Sequence, residues 1–435
     1  MDFLYNYIFL PLALIYVNIW KHFNQKLKIR EEEVFKSWEN LEDLPNDVVR
    51  IWFHSASMGE FEQAKPVIEL LKQKIPDVFI IASFFSPSGY NTQQKYKYVD
   101  RVCYIPLDLK NYAEEFIELI KPDFAIFVRY EIWRNHLLEL KKRNIPTYLI
   151  NATKPTNNFF ANFPLTRSFH KSNMKLFDKI YTTGTTHTKY FVGLGLKHKV
   201  RTLTDTRFDR IIEFVEDSKR FLILPKEIFS TDELILVAGS TWEKDEEIII
   251  QGVKNIKQTL DIPIKVIFVP HEPTEENIER ITLKLENYAL LSKIIECLKT
   301  KSCKWLNEKL TGRDIVVDSI GYLLRLYNYA DFAYIGGAFG EGVHSVTEAA
   351  GYGLPLCTGP NLSKSTDAQI LRKMGVLTTI NNQNDFEIWL KKMCLNPTLR
   401  SEMGRLAQEY IYQAAGSSKY IVSSIIQKLN ENKQS

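Results

Sequence analysis

The chain has 435 residues, 45% of them hydrophobic and 25% charged, with 56 Lys and Arg against 52 Asp and Glu. That length exceeds one ordinary hydrophobic core and predicts at least two domains. A net charge of +4 excludes a binder that holds nucleic acid through a strongly basic surface, so no nucleic acid is expected among its partners. The five cysteines, Cys103, Cys297, Cys303, Cys357 and Cys394, lack zinc-site spacing. They are expected to be reduced thiols, with no metal site.

Residues 3–20, FLYNYIFLPLALIYVNIW, carry no charge and match a bilayer core in length, which predicts contact with a membrane, with a buried core helix as the alternative. Asp2 precedes the run and bulky residues follow it, unlike a cleaved secretory signal. Lys21, Lys26, Lys28 and Arg30 then place the rest of the chain on the cytoplasmic side. Pro11 and the asparagines within the run also permit a helix lying in the interface, so spanning and interfacial placements both stay open. The expected organisation is an anchor with its basic flank over residues 1–30.

After a charged connector, the runs VVRIWFH, VFIIASF, RVCYIPL, FAIFVRY, TYLINAT and KIYTTG alternate with amphipathic stretches such as EQAKPVIELLKQKI. This is the βαβ rhythm of a mostly parallel sheet, predicted to form a first Rossmann-like domain over residues 31–206. The rhythm blurs over an interdomain linker at 207–231. It restarts with ELILVAGS, IKVIFVP, DIVVDS, FAYIGG and LPLCTG, predicting a second α/β domain over 232–386. Helical spacing without an obvious strand fills 387–435, which either closes the second domain or crosses back to the first. Two such domains place the carboxyl ends of two sheets around a ligand cleft, the usual crevice of open α/β sheets.

Several strand ends carry polar groups suited to chemistry. HSASMGEFEQ reads as strand, turn and helix, with Ser57 and Gly59 ahead of Glu60. A carboxylate there either opposes the positive end of the helix dipole or faces a ligand at the strand end. In the second half, AYIGGAFGEGVHSVTEAAGYG leads from a strand through a Gly-rich loop to a helix starting near Ser345, with Glu348 placed to meet a ribose. Free N–H groups at such a start suit a phosphate, although GxGxxG is absent. Ser240 and Thr241 in VAGSTWEKDEE, His271 in FVPHEPTEE, and Ser319 and Gly321 in VVDSIGYLL end three further strands. Each also has an ordinary reading as a helix cap or strand end.

The segments HSASMGE, VRYEIW, DTRFDR, AGSTWEKDEE, VPHEPTEE, DSIGYLL and GVHSVTEAAGYGLPLCTGP, in this order behind an apolar N-terminus, resemble the Kdo transferases of lipid A assembly. Kdo is 3-deoxy-D-manno-octulosonic acid. The resemblance covers most of the chain. It implies an α/β fold of GT-B type, with two Rossmann-like domains facing across a cleft. It implies an inverting glycosyltransferase that moves Kdo from CMP-Kdo to a lipid A precursor, lipid IVA, in lipopolysaccharide biosynthesis. The implied partners are CMP-Kdo, the lipid precursor and membrane lipids at the cytoplasmic face of the bacterial inner membrane. CMP-Kdo is a co-substrate, and no cofactor or metal is expected.

By motif, the family's proton acceptor falls on Glu60, with Ser57 and Gly59 on the acceptor side. Its transition-state stabilisers fall on Glu131 and Arg207. Its CMP-binding segments fall on Pro270 and His271, on Ile320, Gly321 and Tyr322, and on Ser345, Val346, Thr347 and Glu348, with Ser240 and Thr241 as further donor-side groups. The match departs from many relatives at His271 (Arg there), Ser345 (Asn), Arg207 (Lys) and Arg129 (an acidic residue). NATKP replaces an NAR-type loop. A histidine is a weaker phosphate partner than arginine near neutral pH. Two further hypotheses stand beside this one: another GT-B nucleotide-sugar transferase or epimerase, and a catalytically silent relative that retains CMP or lipid recognition.

Overall fold

The computed structural model describes residues 2–129, 131–155, 163–300, 310 and 312–434. It divides into two compact units, residues 1–210 with 414–435, and residues 211–413. Each is built on one seven-stranded parallel sheet, the two-unit α/β fold of GT-B type.

In the first unit the order is β3-β2-β1-β4-β5-β6-β7, with β1 Arg50–Ser55, β2 Phe79–Phe84, β3 Arg101–Tyr104, β4 Phe124–Val128, β5 Thr147–Ala152, β6 Lys179–Thr183 and β7 Val200–Leu203. Strands in a parallel sheet covered on both faces read as unbroken apolar runs, and every residue of β1 and β4 is buried. Side chains alternate between faces. Ile51 and Phe53 join one core with Phe61, Val67 and Ile126, while Trp52 joins the other with Phe127, Leu149 and Ile180. The last helix, Ser417–Gln434, returns to the first of these cores through Ile421, Val422 and Ile425.

The second unit has the order β10-β11-β9-β8-β12-β13-β14, with β8 Leu234–Thr241, β9 Ile264–Pro270, β10 Tyr288–Leu290, β11 Asp314–Val316, β12 Phe332–Ile335, β13 Leu356–Thr358 and β14 Leu377–Thr379. In both units the chain lays its first strands on one side of a central strand, β10 taking the edge before β11 in the second, and then crosses to the other side. The reversal falls between β1 and β4 in the first unit and between β8 and β12 in the second. Loops at the carboxyl ends of the strands flanking such a reversal part from one another and leave a crevice.

One expectation about the thiols is corrected. Cys103, Cys357 and Cys394 are free and buried, but Cys297 is held in a disulfide. Cys303 lies outside the described residues. Arg30 also departs from its expected place in a basic lipid-facing flank. It is 1% exposed, donates to the Ile105 carbonyl at 2.8 Å and lies over the Phe85 ring.

Candidate functional site

In the first unit, Glu60 and Glu131 follow β1 and β4, the two strands that flank the reversal. Glu60 is the third residue of the Met58–Lys74 helix. The Ser57 hydroxyl donates to its Oε2 instead of capping the helix, so the serine fixes the carboxylate. Gly59 is helical and not forced into place by conformation. A Cβ there would meet only the Ser57 Oγ, at 3.8 Å.

Glu131 is held from two sides. The Trp133 indole N–H donates to its Oε2 at 3.0 Å, and His54 Nε2 lies 3.4 Å from the same oxygen. His54 is fully buried on β1. Its Nδ1 is 2.9 Å from the Ser83 hydroxyl, which accepts from the Trp52 indole N–H at 2.8 Å. With Trp52 filling an acceptor position, the serine proton is best placed on His54 Nδ1. The ring's own proton then sits on Nε2, on the side of Glu131 but without a hydrogen bond to it. Burial, outweighing the nearby Glu131 carboxylate, pushes the His54 imidazole below its ordinary pKa and keeps it neutral. His54, Ser83 and Trp133 were not singled out in the sequence. The only signal for His54 was a polar residue ending an apolar strand, where it opens the HSASMGE motif.

Arg207 is reached from the same helix. Its guanidinium pairs with Asp205 at 2.9 Å, and its backbone N–H donates to the same carboxylate. Gln63, three residues beyond Glu60, donates to Asp205 at 2.8 Å. Thr206 between them is fully buried. Its backbone N–H donates to the Asn151 side chain and its hydroxyl to the Gln63 carbonyl. The loop carrying Arg207 is thereby tied to the Glu60 helix. Asn151 of the NATKP segment takes a positive φ of 52° and serves as a strut for this loop.

In the second unit the expected donor residues gather at the carboxyl ends of β8, β9, β11 and β12. Ser240 ends β8 in a left-handed conformation, φ 52°. Gly336 must be glycine there, because a Cβ would lie 2.2 Å from the Ser240 carbonyl oxygen and 2.7 Å from the Thr241 Cα. Thr241 is buried and donates to Glu246, which also holds Arg280 at 2.8 Å. Asp245 accepts from the Tyr334 hydroxyl and from the backbone of Trp242 and Gly337, which locks the strand-end loops together. Pro270 is buried and His271 exposed at the end of β9.

His271 stacks on His344, with ring centroids 4.2 Å apart and planes at 15°. Trp242 stacks on both rings, its centroid 4.9 Å from that of His271 and 6.5 Å from that of His344, and its indole donates to His344 Nε2 at 3.1 Å. Burial and the adjacent His271 lower the His344 pKa. Trp242 and His344 are additions to the residues the sequence pointed to. They stood inside the quoted motifs, but nothing local marked them as stacking partners.

The Ser345 hydroxyl pairs with that of Thr347, Val346 is buried, and Thr347–Gly351 forms a helix of five residues. The N–H groups of residues 345–348 make no hydrogen bond among the described residues. Beneath them the fully buried Tyr327 hydroxyl is pushed up by burial and by the Glu348 carboxylate. Ile320 and Gly321 are exposed and Tyr322 half-buried, past the end of β11. No group of three or more His, Cys, Asp or Glu residues among those described is arranged to hold a metal.

Residues 21–210 match the family described as 3-deoxy-D-manno-octulosonic-acid transferase (kdotransferase). The 3-deoxy-D-manno-octulosonic acid transferase of Chlamydophila psittaci is 28% identical over 77% of this chain and 75% of its own. That of Haemophilus influenzae is 22% identical over 97% and 96%. Among solved structures, UDP-GlcNAc 2-epimerase from Neisseria meningitidis, bound to UDP-GlcNAc, superposes with a TM-score of 0.59 over 87% of this chain and all of its own. At 12% identity that likeness establishes the fold alone.

Proposed function

Because residues 21–210 carry the Kdo transferase family domain, with Glu60 and Glu131 flanking the reversal of its sheet, we propose that this protein transfers Kdo from CMP-Kdo to a lipid A precursor. The placement of these two carboxylates at neighbouring strand ends, within the stretch that matches the family, carries the reading.

In this reading a sugar hydroxyl of the acceptor attacks the anomeric carbon of Kdo. The bond from that carbon to the CMP phosphate oxygen breaks, and CMP departs with the electron pair. The configuration inverts. Glu60 takes the hydroxyl proton as the new glycosidic bond forms, general-base work suited to a carboxylate held in place. Glu131 and Arg207 balance charge in the transition state, one held by His54 and Trp133 and the other by Asp205.

The CMP moiety sits at the carboxyl ends of β8, β9, β11 and β12. The open N–H groups of residues 345–348 and the His271 ring are donors for its phosphate. Glu348 meets the ribose, and the Pro270 and Ile320–Tyr322 loops flank the nucleotide. Phosphate stabilisation by fixed donors needs no metal, and none is assigned to the reaction. An acylated acceptor lies in a bilayer while CMP-Kdo is soluble, so the enzyme works at the cytoplasmic face of the inner membrane. The exposed apolar residues 3–20 hold it there.

The test is an assay of purified full-length protein with CMP-Kdo and tetraacylated lipid A precursor. We expect CMP release and a lipid product heavier by one or more Kdo units. Turnover with a different sugar nucleotide and none with CMP-Kdo would overturn the donor assignment. Binding of CMP-Kdo without turnover would mark a silent relative.

A further inference from the structure

We infer that the Asp2–Trp20 helix lies in the plane of the membrane surface, with both of its ends on the cytoplasmic side, and does not span the bilayer. This rests on the membrane association proposed above but not on the transfer reaction.

The helix has 19 residues, so it is about 28 Å long, enough to cross a hydrocarbon core of about 30 Å. Its first turns are nevertheless fastened to the first unit. Asp2 pairs with Arg134 at 2.6 Å. The Tyr5 hydroxyl donates to Asp108 at 2.5 Å, and the Asn135 amide donates to Asn6 at 2.8 Å. The Tyr5 ring stacks on Phe169, and Leu10 is buried. A spanning helix whose later residues lead into a cytoplasmic domain would carry Asp2 to the opposite side of the membrane. Here Asp2 meets the domain itself.

The other end returns to the same place. Only ten residues after Trp20, Arg30 donates to the carbonyl of Ile105, three positions from the Asp108 that holds Tyr5. Standing the helix upright from its fastened end would carry Trp20 across the core, and the segment with Lys21, Lys26 and Lys28 would have to return through hydrocarbon for Arg30 to reach Ile105. Lying flat, it leaves Lys21, Lys26 and Lys28 at the headgroups, where an anionic surface attracts them.

The face turned from the unit is apolar along its length. Phe3, Leu12, Ile15, Tyr16, Ile19 and Trp20 are 47–69% exposed. Phe163 and Leu165, at the start of the Pro164–Met174 helix that carries Phe169, are 47% and 50% exposed and extend that surface. A helix apolar all round is accommodated in this position, since one side packs on the unit and the other meets acyl chains. The occupant of this surface is the cytoplasmic leaflet of a bilayer containing anionic lipid.

The fastening points have a consequence for the site. Arg134 and Asn135 open the Arg134–Lys142 helix, directly after Glu131 and Trp133. The membrane-lying helix therefore docks on the element that positions one of the two carboxylates, and it brings the acceptor side of the unit to the lipid surface.

The test fuses a hydrophilic tag, a linker of about 20 residues and a protease site ahead of the full chain in a Gram-negative host. Cleavage is compared in intact spheroplasts, inside-out vesicles and detergent. We expect cleavage in inside-out vesicles and detergent only. Cleavage in intact spheroplasts would show a spanning helix and overturn the inference while leaving membrane association standing. Cleavage in detergent alone would also overturn it, because the flat helix leaves its start at the water boundary. Recovery of the chain in the soluble fraction would remove both the inference and the membrane part of the proposed function. Ile15→Glu/Ile19→Glu should lower the fraction bound to vesicles of phosphatidylethanolamine and phosphatidylglycerol about tenfold, with an unchanged melting temperature. Undiminished binding would show that this face is not the one in lipid.

Discussion

Replacing His54 tests whether Glu131 is positioned through the buried Trp52–Ser83–His54 relay. His54→Phe keeps a ring of similar size but removes the Nε2–H that lies 3.4 Å from Glu131 and the acceptor of the Ser83 hydroxyl. A hydrogen bond to a charged group contributes about 1.5–3 kcal/mol, or roughly 10- to 150-fold in rate. At 3.4 Å the contact falls short of a hydrogen bond, and Trp133 still holds the same oxygen. The lower end therefore applies, about tenfold in kcat. The KM for CMP-Kdo should not move, since the relay touches only the first unit. The buried Ser83 hydroxyl keeps its bond from Trp52 but its proton loses an acceptor, which costs about 1 kcal/mol of stability. His54→Gln, whose amide can donate to Glu131, should recover kcat to within about threefold. The assay is steady-state CMP release with saturating lipid acceptor, with thermal melts alongside. An unchanged kcat in His54→Phe, or equal losses in the Phe and Gln variants, would refute the positioning role.

Further outcomes follow from the same geometry. Gly336→Ala puts a methyl against the Ser240 carbonyl and the Thr241 backbone, which cannot yield as a flexible side chain would. CMP affinity by calorimetry should fall at least tenfold, with a stability loss of about 1–3 kcal/mol. Asp205→Ala releases Arg207 from the Gln63 tie and should lower kcat several-fold in the same CMP assay while CMP binding stays unchanged. Burial pushes the His170 pKa down to about 4, below its ordinary value near 6.5. Between those values the unfolded chain holds a proton that the folded chain lacks, so stability is lost as pH falls from 6.5 towards 4. This residue contributes up to about 1.4 kcal/mol per pH unit. Denaturant unfolding at pH 7 and 5 should show a smaller acid loss for His170→Gln than for the native chain. Turnover should also survive treatment with EDTA, because fixed donors and not a metal are assigned to the leaving phosphate.

Much of this arrangement was legible in the sequence, for reasons that also mark where it stopped. The long strands of both sheets are continuous apolar runs because parallel strands are covered on both faces. Strands β7, β10 and β14 escaped notice because they lie at sheet edges and are only partly buried, so none reads as a long apolar run. Glu60 was visible as an acid just past a strand end. Nothing in one dimension shows that Ser83, 29 positions from His54, belongs to the relay beside Glu131, or that Trp242, His271 and His344 stack across three strand ends. Gly59 and Gly336 look equally special in the sequence. The structure distinguishes them by what surrounds the missing Cβ, a hydroxyl at contact distance in one case and backbone in the other. Arg30 reads as one more basic residue in a flank of lysines, yet a carbonyl and an aromatic ring draw it inward.

The most direct measurement is single-turnover transfer of Kdo by Glu60→Gln, a variant of nearly the same shape that cannot accept the proton, with CMP binding measured in parallel. A general base typically contributes 10²- to 10⁴-fold, so transfer should slow at least a hundredfold while CMP binds as it does to the native chain. Transfer at the native rate with CMP still bound would show that another group takes the proton, and the assignment of Glu60 would fail.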